Sequence, residues 1–502
     1  MTPCRFLRIP TGVSGAATRR ATMPEAVKPG RKRVRGSISI VASALLASTL
    51  LAGPMMPGLA QSARVPALDP ERARIAAASE AERAREMTLL GIAALNPTVD
   101  ARDPARPDFA NFDESRANPY PRLPDPLTTN AGVAVKTKAA WAARRAEIAD
   151  LFDREVYGRV PAILPSVTWR VAETVQEVIG TTPVLTKKLV GHVDNAAAPG
   201  IAVDILMNLT TPAARKGRRV PVVMSFGSVG ARPRSPGVPA MPAPAPDYRE
   251  QLLARNWGFA TLDTASVQAD NAAGLTRGII GLVNKGQPRG LEDWGVLRAW
   301  AWGASRGLDY LATDRDVNAK QVAVFGHSRG GKAALVALAY DQRFATGFIS
   351  SSGAGGAALY RRNFGEGVPN LAAANEFHWF AGNFLKYAAA GHDASELPVD
   401  SHELIAMVAP RPLFIGGGAL IMTPASAIPG DGWVDARGMF MASAAASPVW
   451  SLFGRKGLQT TQFPPILTYL GDGEIGFRQH VEGHTPNPNW PYFIRFAGKY
   501  LK

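Results

Sequence analysis

One cysteine occurs in 502 residues, Cys4, and it lies in a strongly basic leader. Beyond that leader no disulfide, iron–sulfur centre or thiolate metal site can form, so stability must come from the size of the core. Charge is scarce as well: 19% of the residues are charged against 46% apolar, which excludes disorder as the main state. No apolar run approaches the ~20 residues that cross a bilayer. The net charge of +15 suggests a polyanion partner until its distribution is read. The first 60 residues supply +8 of it, with nine Lys/Arg against the single acid Glu25. After them nothing concentrates basic residues with interleaved aromatics, which argues against a nucleic-acid partner.

The leader has the layout of a signal peptide. Arg31-Lys32-Arg33-Val34-Arg35 precedes an apolar run from Ile38 to Ala52, and small residues at 58 and 60 suit cleavage after Ala60. Export to the periplasm or medium is expected, without membrane insertion once the leader is removed. A start at Met23 would give a more ordinary leader length. Residues 61–120 read as an extension: a helix from Asp69 to about Gly91 with Pro70 in its first turn, then a proline-rich wrap over 96–126. From 121 onward one catalytic domain is expected. It opens with a helix over about Thr137–Val156 and strands at Val167–Val175 and Ile201–Leu209.

After Arg219 the pattern changes. Short apolar runs at Val220–Phe226, Gly258–Leu262, Val322–Phe325, Gly347–Ser350 and Pro412–Ile415 alternate with helix-period segments near Tyr248–Arg255, Glu292–Ala312, from Arg329, and near His402–Val408. Continuous apolar strands each followed by a helix predict an α/β fold, a mostly parallel sheet covered on both faces. Two long insertions, at about 227–246 and 352–398, fall where such sheets build their sites.

Gln321-Val322-Ala323-Val324-Phe325-Gly326-His327-Ser328-Arg329-Gly330-Gly331-Lys332 reads as strand, G-x-S-x-G turn, helix. Such a turn strains its serine, and strand and helix approach so closely that glycine is expected at both 326 and 330. Ser328 is therefore the candidate nucleophile, at a helix N-terminus that favours developing negative charge. A hydroxyl needs a base, and only seven histidines exist. On this topology the order is Ser, acid, His, which leaves His480 and His484; His484, between Gly483 and Pro486, sits on a loop and is preferred. Their i, i+4 spacing would suit a metal only on a helix, which Gly483 and Pro486 disfavour. For the acid, Gly430-Asp431-Gly432-Trp433-Val434-Asp435 offers two carboxylates. Asp431, between glycines, reads as the imidazole orienter and Asp435 as a helix N-cap or first-turn residue.

Taken as an ordered set, Gly326-His327-Ser328-Arg329-Gly330-Gly331-Lys332, Ser352-Gly353-Ala354-Gly355-Gly356, Arg361-Arg362-Asn363-Phe364-Gly365-Glu366, His378-Trp379-Phe380, Leu397-Pro398-Val399-Asp400, Ala409-Pro410-Arg411-Pro412 and the Asp431–Asp435 block resemble the glucuronoyl esterases, carbohydrate esterase family 15. The resemblance runs from about Leu123 to the C-terminus. It implies an α/β-hydrolase, working without metal or cofactor, that cleaves esters between 4-O-methyl-glucuronic acid of xylan and lignin alcohols. By position it makes Ser328 the nucleophile and His484 the base, and gives Arg329 to the oxyanion hole. It also assigns Lys332 to the sugar hydroxyls, Trp433 to the uronate face and Glu366 to the pocket wall. Two of these roles have independent support. A lysine in a helix's first turn is disfavoured by ~0.3–1 kcal/mol and needs a partner, and an exposed Trp433 suits stacking on a sugar. By fold geometry the N–H of Phe226 or Gly227 is the second oxyanion donor.

Three departures from the family pattern stand out. Ser350, Ser351 and Ser352 occupy the place where many members carry the acid, the 416–430 stretch is long, and the histidine loop is a variant. The leading expectation is a monomeric serine esterase acting on a uronate-containing polysaccharide or oligosaccharide. The alternatives are an acetyl esterase of xylan or another polysaccharide, and a non-catalytic carbohydrate-binding protein in which Asp431 points away from His484.

Overall fold

The glycine-bounded apolar runs become the inner strands of one sheet in the computed structural model, which describes residues 69–214, 217–229, 247–419 and 430–502. The expected leader, most of the 227–246 insertion and most of the 416–430 stretch lie outside these residues. Ten strands form the sheet: β1 (Val167–Ile179), β2 (Thr182–Val193), β3 (Asp204–Pro212), β4 (Val220–Gly227), β5 (Gly258–Asp263), β6 (Val317–His327), β7 (Thr346–Ser350), β8 (Leu413–Gly417), β9 (Tyr469–Leu470) and β10 (Ile475–Gln479). Their order is β1-β2-β3-β5-β4-β6-β7-β8-β10-β9. From β5 to β10 neighbours run parallel, while β1, β2 and β3 pair antiparallel at one edge and β9 closes the other. This is the α/β-hydrolase arrangement expected from the alternation.

Both faces are buried, and that is why the inner strands carry unbroken apolar runs rather than alternating ones. Val222, Met224, Val322, Val324, Ile349 and Ile415 point into the larger core. There helices α1 (Pro70–Leu90), α2 (Lys138–Glu155), α4 (Val296–Thr313), α5 (Arg329–Tyr340), α6 (Ser401–Ala406) and α7 (Ala436–Ala446) supply the remaining elements; α3 (Tyr248–Leu253) and α8 (Trp490–Ala497) lie opposite. Their neighbours Val223, Ala323, Phe325, Phe348 and Phe414 turn to that second core, where Tyr248 stacks on Trp490 at 4.3 Å between ring centroids.

The expected helices at Asp69 and Thr137 form with the predicted ends. Pro70 opens α1 behind the Asp69 cap, and Gly91 closes it in the left-handed region; Thr137 Oγ1 accepts the Ala140 N–H to cap α2. The extension, where described, packs within the same unit as everything after it. Its anchor is an ion pair between Glu86 and Arg289 at 2.7 Å, with both side chains wholly buried. Arg289 Nη1 also donates to the Phe380 carbonyl at 2.6 Å. Glu86→Ala strands that guanidinium in the core and is expected to cost about 3–5 kcal/mol in a urea titration; a variant as stable as the parent would show that the extension is dispensable.

Candidate active site

The sharp turn between β6 and α5 positions Ser328. It holds φ 58° and ψ −132°, a strained conformation for a residue with a side chain, and its hydroxyl makes no capping bond to the helix. Two contacts explain the strain. A Cβ at Gly326 would sit 1.9 Å from the Gly330 carbonyl oxygen, and one at Gly331 would sit 2.8 Å from that of Ser350. At Gly330 the nearest atom to an added Cβ is the Phe226 Cβ at 3.5 Å, ordinary contact. The steric need for glycine expected at 330 therefore falls at 331, because α5 turns its second residue outward over β4 and its third inward against β7. The Ser328 N–H donates to Ser350 O at 3.0 Å, which fixes the elbow to the end of β7.

His484 and Asp431 meet as the chain order requires. His484 Nδ1 lies 2.7 Å from Asp431 Oδ1, with Asp431 fully buried and the imidazole 30% exposed. The second carboxylate oxygen accepts the Ser351 hydroxyl at 2.7 Å and the Gly418 N–H. A carboxylate accepts only, so His484 Nδ1 carries the proton and Nε2 has a free lone pair. The His484 and His327 rings are in contact at a tilt, their centroids 4.3 Å apart. Asp435 is elsewhere: it caps α7 through the Gly438 N–H at 2.8 Å and pairs with Arg362 at 2.6 Å. His480 is buried at the end of β10, its Nε2 on Thr485 O at 2.9 Å and its Nδ1 accepting the Glu482 N–H at 3.2 Å. Burial holds its pKa below the usual histidine range.

One turn beyond Ser328, Lys332 reaches into a buried cluster of charge. Its Nζ pairs with Glu366 Oε2 at 2.7 Å and donates to the Ala354 carbonyl. Arg329 is half exposed, pairs with Asp270 at 2.6 Å and lies over the Trp379 ring, 5.5 Å from its centroid. Asp270 also accepts from Trp379 Nε1 at 2.7 Å and from His378 Nε2 at 3.0 Å. Burial works against its charge, but these donors and Arg329 hold its pKa well below the usual carboxylate range. Trp433 is half-buried rather than exposed, because the turn folds as a short 3-10 helix with Val434 in the core; its carbonyl accepts the Glu366 N–H at 2.9 Å. Phe226 and Gly227 end β4 against the first turn of α5. Among the described residues no group of three or more His, Cys, Asp or Glu is placed to hold a metal ion.

Glu376 was missed in the sequence, and so was Asp270. Glu376 Oε2 is buried with no hydrogen-bond partner among the described residues. Burial, reinforced by Glu366, pushes its pKa up to about 8 from the 4.5 of a free side chain, against the pull of Lys332 and Arg329. Neither acid belongs to a motif with a chemical spacing; only Glu376's place just before the His378-Trp379-Phe380 block could have drawn attention to it. The folded protein keeps the Glu376 proton up to about pH 8 while the unfolded chain releases it near 4.5, so stability falls as pH rises between those values. Glu376→Gln is expected to flatten that fall when Tm is followed across the window; an unchanged slope would place the carboxyl in water. In the same assay Gly326→Ala should lose its folded state where Gly330→Ala keeps it.

Comparison with known proteins agrees with this geometry. A family model described as "Glucuronyl esterase, fungi" matches residues 289–454. A carbohydrate esterase of an unknown prokaryotic organism is 31% identical over 79% of this chain and 93% of its own length. A 4-O-methyl-glucuronoyl methylesterase of Cerrena unicolor is 27% identical over 76% of this chain and 69% of its own. The solved structure of a family 15 glucuronoyl esterase from Teredinibacter turnerae superposes with a TM-score of 0.76 at 40% identity, covering 84% of this chain and 99% of that one. An elbow serine, an imidazole oriented by a buried aspartate and this likeness over most of the chain place it in one family: the protein belongs to the glucuronoyl esterases of carbohydrate esterase family 15.

Proposed function

We propose that this esterase hydrolyses esters of glucuronic acid or its 4-O-methyl ether with the alcohols of lignin, through an acyl-enzyme on Ser328. The observation that carries the reading is the 2.7 Å contact of His484 Nδ1 with Asp431 on the loop that faces the elbow. With Nδ1 held as donor, His484 Nε2 takes the proton as Ser328 Oγ attacks the uronate carbonyl. The oxyanion then lies at the amino end of α5, at the Arg329 amide, with the Arg329 guanidinium beside it and the N–H of Phe226 or Gly227 across from it. Collapse breaks the ester C–O bond, and His484 returns its proton to the leaving alcohol. Water, deprotonated in turn by His484, hydrolyses the acyl-enzyme and releases the free acid and the serine.

The sugar side of the site has the composition a uronate needs. Lys332 and Glu366 are buried as a pair, so their polar atoms are pre-oriented toward ring hydroxyls; the protonated Glu376 adds one donor, and Trp433 offers an apolar face. The relatives named 4-O-methyl-glucuronoyl methylesterase support this substrate class, and the basic leader supports export to the medium or periplasm.

Purified enzyme is expected to turn over benzyl glucuronate faster than acetylated xylan; the reverse order would transfer it to the acetyl esterases. Ser328→Ala and Asp431→Asn should each lower kcat by about 10⁴-fold. Asp435→Asn should instead lower Tm through Arg362 and the α7 cap, with kcat per folded molecule retained. Comparable kcat losses at 431 and 435 would contradict the assignment of the acid.

A further inference from the structure

The elbow motif contains a residue that the mechanism leaves without work. His327 precedes the nucleophile at the end of β6, and its ring packs against that of His484 with centroids 4.3 Å apart and planes tilted by 45°. It is held from two sides. Ser350 Oγ lies 3.2 Å from His327 Nδ1 on one side, and the His484 ring covers another. The same Ser350 accepts the Ser328 N–H through its carbonyl at 3.0 Å, so one residue at the end of β7 fixes the nucleophile's backbone and the His327 ring together.

We propose that His327 is a positioning residue for the base: an imidazole, latched by the Ser350 hydroxyl, that seats the His484 ring against the elbow and keeps water from the face it covers. The inference rests on the reading of His484 as base. Three features of the contact support it. Asp431 holds His484 at a single atom, Nδ1, and one hydrogen bond leaves a ring free to swing about that atom; a second ring against its face removes the swing. His327 Nδ1 is engaged by the Ser350 hydroxyl, so that nitrogen is committed to the latch. Finally, the His327 ring stays uncharged. Burial, then the facing His484, push its pKa down to about 3 against the pull of the Asp431 carboxylate. Because of that, no second cation opposes the imidazolium that forms on His484 during turnover.

The arrangement accounts for the serine run as well. Ser350 latches the ring under the base through its hydroxyl, and Ser351 holds the acid through Asp431 Oδ2 at 2.7 Å. Consecutive residues at the end of β7 thus steady the imidazole from opposite ends.

The test uses 4-nitrophenyl acetate, which reads the triad whatever the natural ester, alongside benzyl glucuronate. His327→Ala is expected to lower kcat on both by about 10-fold to 100-fold with KM near that of the parent. Opening the covered face to water should also move the acid limb of kcat/KM to higher pH, since a better-solvated imidazole protonates more readily. His327→Phe restores the ring contact and should recover most of kcat and the parental limb. A folded His327→Ala with parental kcat and limb would overturn the inference, and so would a His327→Phe no better than alanine. If His327→Ala does not fold, Ser350→Ala, which removes only the latch, must show the same lowered kcat and shifted limb; parental values there would equally overturn it. Loss of turnover on benzyl glucuronate by the parent, with 4-nitrophenyl acetate still cleaved, would instead remove the uronate reading and leave this one standing.

Discussion

Asp431 puts a carboxylate where no solvent reaches it, and a charge can remain there only if its oxygens find donors. Ser351, Gly418 and His484 are those donors, and each comes from a different part of the sheet: the end of β7, the end of β8 and the loop after β10. The requirement to satisfy one buried charge therefore draws three strand ends together. It also dictates the imidazole tautomer, since an acceptor-only partner leaves the proton on Nδ1 and the lone pair on Nε2. Orientation of the base follows from the same bonds that make the carboxylate's burial tolerable.

A second cluster obeys the same rule with the opposite result. Around Lys332 the ammonium is matched by Glu366, and Arg329 by Asp270, so a further carboxyl in that place has no cation left to itself. Glu376 answers by keeping its proton. The site thus sets carboxylates whose oxygens are met by donors, Asp431 and Asp270 among them, beside one carboxyl that burial keeps protonated, a division of labour between acceptor and donor that a sugar ester can use.

How much of this could be read from the residues depended on whether the signal was local. The inner strands were legible because burial on both faces leaves a continuous apolar run, as in Val220–Phe226 and Val322–Phe325. The elbow was legible because its steric demand falls on neighbouring glycines, although the demand placed at Gly330 belongs to Gly331, since helix phase and not proximity to the serine decides which residue faces β7. β2 escaped notice: Lys187, Lys188 and Gly191 interrupt its pattern, and Lys187 is in the sheet because Asp314 and Asp316 at the end of α4 meet its ammonium. Asp431 and Asp435 share one glycine-flanked turn, and only their contacts, Asp431 with His484 and Asp435 with the Gly438 N–H, tell them apart. Asp270 and Glu376 could not be found, because their roles arise from what folds against them. The insertion at 352–398 hid most, since it forms short helical turns whose side chains are mostly buried and carry no period.

A fluorophosphonate reports directly whether a serine is activated by a nearby imidazole. The account predicts that the reagent modifies the peptide carrying Ser328 and no other, and that His484→Ala protein, still folded by its Tm, is left unmodified. Modification of a different hydroxyl, or equal labelling of Ser328 without His484, would contradict it.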